Sequence, residues 1–568
     1  MSALSSWQRR AGAWASAWVT AILAVAAAGA IGIGVLLALR LQDAEALESP
    51  LMLSIARQLS SSPWALYGPF GGRNLLVLIH APLYYHLAAL LAWPMVRAGL
   101  DPVTAALAAG RSLSMLGLAL ALVAAYRLAR LDGAPARAGW LAIFLLASAP
   151  VVGVIPFAVR PDMLGVALQI NGVLLVLSVL RSERPRETTL MAAFASFGLA
   201  ICVKQHFMVG PLYSTCLLLA AWRRGQIAFR SIVRGLLTAA TLVLVVYGTE
   251  ELATGGRMSQ AVFLAAINVA RVHPSDWFHS LIVLIAIFGR SSALIALLVA
   301  SCLAMVSVDA SLGRRAFVAA GTLLVGVIVV LVILPFIVTN KWQGAFLLHA
   351  VFAAVLIVLP VCAFLEPRSL ARGRLDGALW VYLAAELALM LVLCRTSTGA
   401  WVNYAIPSAV VAAVLTARVL DRALGDAISY RRLIPIATAA SILPIGVVMD
   451  PYVSAAKRRN EGLAIAQISQ VLGRPSSEFF FVGRPGDNRV RGRLDLVYDE
   501  WLYPVFESMH LAEPRSIWLR RALTAGPVRF VVNTSESPQI DGLGLTLPQL
   551  GYSRRIQVGP FFVWERIL

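Results

Sequence analysis

Apolar runs recur between residues 14 and 448, separated by short polar turns, the longer of them reaching the about 17–25 residues that cross a bilayer. They fall at 14–39, 105–126, 139–157, 163–180, 190–203, 207–221, 235–250, a run ending near 306, 317–338, 345–364, 378–393, 404–417 and 433–448. Backbone groups find no water inside lipid, so runs of this kind fold as helices. The pattern predicts an all-α polytopic membrane protein with about thirteen transmembrane helices. A polar segment, 254–279, interrupts it.

The first two runs are separated by a long segment, 40–104. Leu47, Leu51, Ile55 and Leu59 recur there at i, i+4, with Glu48, Arg57 and Gln58 off the stripe. That spacing predicts a helix over 44–59 lying flat at the membrane interface. Pro63, Pro69 and Gly71-Gly72 break it. The stretch 81–100 fits either a further span or a second interfacial helix. As a span it would put Arg127, Arg130 and Arg137 outside; as an interfacial helix it keeps them inside, which the arginine bias of inner loops favours.

Composition sharpens this picture. Apolar residues make up 59% of the chain and charged residues 14%, which excludes an ordinary soluble domain. The formal charge of +19 raises nucleic acid as a partner, but the arginines sit in short clusters between apolar runs, as topology demands, so no nucleic acid is expected. Lysine occurs only at Lys204, Lys341 and Lys457. None of the five cysteines has CxxC spacing, which predicts neither a disulfide framework nor a structural zinc site. Arg9 and Arg10 precede a run too long for a signal-peptide core, so it is expected to stay as a first span with the N-terminus inside. Thirteen spans then put the C-terminus outside. Beyond Asp450 proline, glycine and charge return to ordinary frequency. Residues 478–482 and 528–532 read as buried strands and 556–566 as a hairpin around Gly559-Pro560. The expected organisation is a membrane domain, 1–449, and a small extracytoplasmic α/β domain, 450–568.

Candidate chemistry gathers at predicted outer ends. Asp43 follows the first span directly and is either a general base or a solvated acid that ends a helix. Asp162, after Arg160-Pro161, either caps its helix or faces Asp43 across a cavity. Arg73, Arg111, Arg160, Lys204, Lys341 and Arg395 lie at outer ends, where topology disfavours cations. Phosphate binding explains one or two of them; pairing with Asp43, Glu45, Asp162 or lipid headgroups is the alternative. Glu386, mid-span, calls for a basic or amide partner on another helix. His206, His273 and His279 form no metal-ligand spacing.

In order and sidedness these elements resemble the GT-C superfamily of integral membrane glycosyltransferases, in particular bacterial family-39 and mannosyl- or aminoarabinose-transferase-like members. The acid after the first span is Asp43, with Glu45 close by; the Pro-Leu-Tyr-Tyr element is His80-Ala81-Pro82-Leu83-Tyr84-Tyr85. Arg111, Arg160-Pro161-Asp162, Lys204-Gln205 and Asn403-Tyr404 match further elements. Ala44 separates two acids that are adjacent in several members, and the loop before His80 lacks the further acid some members carry.

The resemblance implies Asp43, Asp162 and Glu45 as catalytic residues. It implies Arg73, His80, Tyr84, Tyr85, Arg111, Arg160, Lys204, Lys341, Arg395, Asn403 and Tyr404 as substrate-binding residues. The implied reaction transfers a sugar from a polyprenyl-phosphate donor to a cell-envelope acceptor at the outer face of a bacterial cytoplasmic membrane. No cofactor is required, and the metal is unknown, with a divalent cation left open. A transporter or flippase of a lipid-linked sugar, or a non-catalytic assembly subunit, is the alternative.

Overall fold

A computed structural model describes residues 2–39, 48–67, 78–147, 149, 155–183, 185–272, 375–396, 402–425, 464, 466–475, 478–482, 507–509, 514–524, 528–533, 546–559 and 561–567. The chain opens with helix α1, Ser2–Ala38, so the basic N-terminal tail continues the first apolar run as helix. Helix α2, Ser49–Ser60, starts at a proline-containing first turn. It buries Leu51, Met52, Ile55 and Ala56. The expected flat interfacial helix is more enclosed; its described part begins at Ser49 and its buried stripe at Leu51, and residues 44–47 lie outside the described residues. Helix α3, Leu83–Arg97, has 15 residues. At 1.5 Å per residue it spans about 22 Å, short of the ~30 Å hydrocarbon core. That length fits an interfacial helix better than a span.

Helix α4, Pro102–Arg130, shows how its sequence starts it. Asp101 accepts from the Thr104 backbone N–H at 2.8 Å and hydroxyl at 2.9 Å, and Pro102 supplies the fixed φ of a first turn. Helix α5 covers Ala136–Ala147 and gives way to a 3-10 turn at Ile155–Phe157, so the run expected to continue to residue 157 ends earlier. Pro156 accounts for the break at that turn. Helices α6, Asp162–Arg181, α7, Glu187–Val203, α8, Val209–Arg223, and α9, Phe229–Thr254, follow. Three of the described helices, α4, α6 and α9, are long and apolar enough to cross a membrane.

Residues 254–272, expected as a polar outer segment, are largely helical: a short α10, Arg257–Ser259, a π-turn, Gln260–Leu264, and α11, Ala265–Val272. Met258, Ala261, Val262, Ala265 and Val269 form a buried stripe that scattered polar residues conceal. Helices α12, Leu375–Thr396, and α13, Ile406–Gly425, complete the described bundle. Small residues allow close approach. A Cβ on Gly117 of α4 would lie 2.6 Å from the backbone nitrogen of Leu164 on α6.

Charged side chains gather at both ends of the helices. At one end Arg418 donates to Asp376 at 2.6 Å, to Asp132 at 3.4 Å and to the Ala129 carbonyl at 2.8 Å. Arg181 pairs with Asp132 at 2.7 Å and Arg137 with Asp421 at 2.7 Å. The candidate site lies at the other end. Between the two, Gln169 of α6 donates to Glu386 of α12 at 2.6 Å and to the Tyr382 hydroxyl at 2.9 Å, which gives the mid-helix acid an amide partner.

The C-terminal region holds a four-stranded mixed sheet in the order β1-β2-β4-β3. Strand β1, Phe479–Val482, runs parallel to β2, Phe530–Asn533. Strands β3, Tyr552–Val558, and β4, Phe561–Arg566, form the expected hairpin. Gly559 turns it at φ +53°, which a side chain would disfavour. Helix α14, Arg515–Thr524, precedes β2. One sheet face, with Phe479, Phe530, Val532, Phe561 and Val563, packs on Ala464 and Ile468. The opposite face, with Phe480, Val531 and Trp564, joins Trp518 and Leu519 of α14 in an apolar cluster continuous with α2, α3 and α11. The boundary expected at residue 450 lies outside the described residues.

Candidate functional site

The turn Val159–Asp162 is gripped from two sides. On one, Glu48 at the foot of α2 forms a two-point ion pair with Arg111 of α4, Nε to Oε1 at 2.9 Å and Nη2 to Oε2 at 3.0 Å. Glu48 Oε1 also accepts the Val159 N–H at 2.6 Å, and Arg111 Nη1 donates to the Ala38 carbonyl at 3.0 Å. Both side chains are almost fully buried. On the other side, Tyr84 of α3 donates to the Gly110 carbonyl at 2.7 Å and sits 2.9 Å from Ser114 Oγ. Ser114 bonds both the carbonyl and the N–H of Arg160, at 2.8 and 3.2 Å. Paired and hydrogen-bonded buried charges of this kind set geometry rather than await a ligand. Arg111 and Tyr84, both expected to bind substrate, therefore brace the turn from beneath.

What the turn presents is Asp162. Its Oδ1 accepts from Lys204 Nζ at 2.6 Å and from Asn403 Nδ2 at 2.8 Å. Among the described residues Oδ2 has no partner. Lys204 is placed by the end of α7: its backbone is extended, at φ −159° and ψ 123°, and the chain turns through Gln205, His206 and Phe207 before α8 begins. The Lys204 ammonium lies 4.8 Å from the centre of the Tyr404 ring, a cation–π contact. His206 packs on the other partners of this turn, 4.7 Å from Tyr404 and 4.3 Å from Phe207 between ring centres. Gln205 donates to the Ile79 carbonyl at 2.9 Å, which brings the segment before α3 to the same place. Tyr67 donates to the His80 carbonyl, and Arg257 holds Tyr67 through its carbonyl at 3.0 Å.

Six of the expected residues thus converge: His80, Arg160, Asp162, Lys204, Asn403 and Tyr404. Asp162, Lys204 and Asn403 are buried, whereas His80, Arg160, His206 and Tyr404 are half-buried. No described acid hydrogen-bonds the Arg160 guanidinium. Tyr85 Oη and Gln205 Oε1 are buried without a described partner. Burial, reinforced by the Lys204 charge, pushes the His80 imidazole down to about 3, with Asp162 opposing it only in part. The same two causes push His206 well below the usual histidine range. Both rings are neutral in the unliganded site.

Asp43, Glu45, Arg73 and Lys341 lie outside the described residues, as does the side chain of Arg395 in the last turn of α12. Sequence reasoning missed Glu48 and Ser114, whose partners stand 111 and 46 residues away. It also passed over His206, which was weighed only as a metal ligand. A second polar pair escaped it: His86 Nε2 and Glu250 Oε2 are 2.8 Å apart where α3 meets α9. Among the described residues no three His, Cys, Asp or Glu side chains converge as a metal site.

The arrangement offers one half-exposed guanidinium, a charge-neutral aspartate–lysine pair and two neutral imidazoles at one end of the helices. Such a set can hold a singly charged anion and orient hydroxyl groups.

No family model and no curated protein matches this chain. Among solved structures it is similar to ArnT from Cupriavidus metallidurans bound to undecaprenyl phosphate, at 16% identity and a TM-score of 0.46, over 97% of this chain and 98% of that one. It is also similar to the oligosaccharyltransferase of Archaeoglobus fulgidus in the apo form, at 14% identity and a TM-score of 0.45, over 91% of this chain and 69% of that one.

Proposed function

We propose that this chain is a membrane glycosyltransferase that moves a sugar from a polyprenyl-phosphate donor to a cell-envelope acceptor at the outer face of a bacterial cytoplasmic membrane. The observation that carries this reading is the convergence of Arg160, Asp162, Lys204, Asn403 and Tyr404 at one end of an apolar helix bundle. An anion and its lipid tail need a cation at the membrane edge and apolar surface beside it, and this end of the bundle supplies both. About thirteen spans, an extracytoplasmic C-terminus and a domain boundary near residue 450 belong to the same proposal.

Arg160 would take the donor phosphate by paired N–H donors, and Lys204, held by Asp162, would add positive potential behind it. The phosphate is the leaving group, so charge grows on it as the bond to the sugar's anomeric carbon breaks. Preorganised cations are worth most at that stage. Asp162 Oδ2 would orient a hydroxyl of sugar or acceptor. Asp43, expected opposite Asp162, would take the proton of the attacking acceptor hydroxyl. An in-line attack from the face opposite the phosphate inverts the anomeric centre.

The test is a transfer assay with purified protein in lipid, using a panel of polyprenyl-phosphate sugars with membrane extract as acceptor. Transfer by wild type is expected. D43N should abolish it while leaving thermal stability and donor binding unchanged, and R160A should weaken donor binding about 10-fold or more, as loss of a charge-assisted contact implies. Transfer by D43N at the wild-type rate would remove the base from Asp43. Binding of a donor without transfer by wild type would favour a transporter.

A further inference from the structure

We propose that the His206 imidazole hydrogen-bonds the phosphate of the lipid donor and takes up one proton as the sugar leaves. This rests on the glycosyltransferase reading and assigns a new residue to that site. His206 stands in the turn between α7 and α8, two residues after Lys204, whose ammonium meets Asp162 at 2.6 Å. Its ring is held by Tyr404 and Phe207. It is half-buried, and no described residue hydrogen-bonds either ring nitrogen. Both rings pack against it at a tilt, and with no described partner on either nitrogen the imidazole keeps a donor and an acceptor for a ligand.

The charge balance of the reaction gives this ring its task. A sugar phosphodiester carries one negative charge and the released phosphate monoester carries two. The bond from the anomeric carbon to the phosphate oxygen breaks, and its electron pair stays on the phosphate. The bond from the anomeric carbon to the acceptor oxygen forms, and the acceptor proton is set free. Asp43 takes that proton and returns it to solvent while His206 takes one from solvent, so the site gains one positive charge as the phosphate gains one negative charge. Atoms and charge balance without a further reactant.

The groups facing the ring make it responsive. Lys204 on its own turn and His80 from the segment before α3 oppose protonation, and Asp162 from α6 favours it. Tyr404 packs against the ring without charge. In the unliganded site burial and Lys204 prevail and the ring is neutral. A phosphate dianion adds a second negative neighbour and reverses that balance.

The experiment is calorimetry of the full chain in detergent with farnesyl phosphate and, separately, with its methyl diester, in buffers of different ionisation enthalpy at pH 7.5. Linkage requires proton uptake wherever a bound group's affinity for protons rises. Wild type should take up about one proton with the monoester and none with the diester. H206N should still bind both ligands, the diester weakened by no more than the loss of one hydrogen bond, yet lose most of the uptake with the monoester. Equal uptake by H206N overturns the proposal, because the proton then goes to the phosphate or another group. Failure of wild type to bind either ligand overturns the glycosyltransferase reading and this inference with it. If H206N does not fold, H206Q replaces it. If neither folds, the carbon resonances of His206 in wild type must move to imidazolium positions on monoester binding, and their constancy counts against the proposal.

Discussion

At the scale of single residues, the Asp162–Lys204 pair shows a charge kept in place by others. Both side chains are almost wholly buried, and Asn403 and Tyr404 supply the remaining contacts. Removing one partner of a buried pair leaves an uncompensated charge, which costs about 3–5 kcal/mol. K204M should therefore lower the melting temperature strongly, and the double variant K204M/D162N should recover most of the loss. Thermal unfolding of the detergent-solubilised chain would show this; a K204M variant as stable as wild type would mean that solvent reaches Asp162. The sequence made these residues visible because a lysine and an aspartate at the ends of apolar runs need a reason. It hid Glu48 because a glutamate on a surface-like stripe looks solvated until Arg111, 63 residues on, closes over it. It hid the task of His206 because one histidine with no neighbouring ligand carries no spacing signal.

At the scale of elements, the apolar runs made the long helices legible and proline with aspartate marked the start of α6. Element ends governed by distant contacts were not legible. The segment after α9 reads as polar, yet Met258 and Val262 bury one side of it against the apolar cluster beneath α3. The run after Ala136 stops at Ala147, just before Pro150 in the sequence, which cannot continue a helix. Close packing of α4 on α6 depends on Gly117, where any Cβ would meet the Met163–Leu164 backbone at 2.6–2.9 Å. A backbone cannot step aside as a side chain can. G117V should part the two helices and move the Val159–Asp162 turn that both support. The expected outcome is a loss of about 1–3 kcal/mol in stability, together with weaker binding of a lipid phosphate. Thermal melting and a binding titration on the same sample would test it, and unchanged values for both would show that α4 and α6 do not touch there.

At the scale of the whole molecule, the sheet domain sits on the same side as the site, because its Phe480 face shares an apolar cluster with α2 and α3. Its outer strand β3 exposes Arg554 and Arg555, charges that discourage edge-to-edge pairing. If the site faces outward, so do these arginines. A cysteine introduced by Arg554→Cys into a chain lacking its natural cysteines should react with a membrane-impermeant maleimide in intact spheroplasts. Labelling only after lysis would place the whole site on the inner face.

The ionic ring at the far end has a consequence for how the chain is made. Arg418 reaches Asp132 across 286 residues and Asp376 across 42. While a ribosome is still making the middle of the protein, Asp132 can pair with Arg181 but not yet with Arg418, and the ring stays open on that side. The last helices do not merely extend an existing bundle; they deliver the side chain that locks its earliest turn. The ring therefore closes only once residue 418 has been made, long after the helices that carry Asp132 and Arg181.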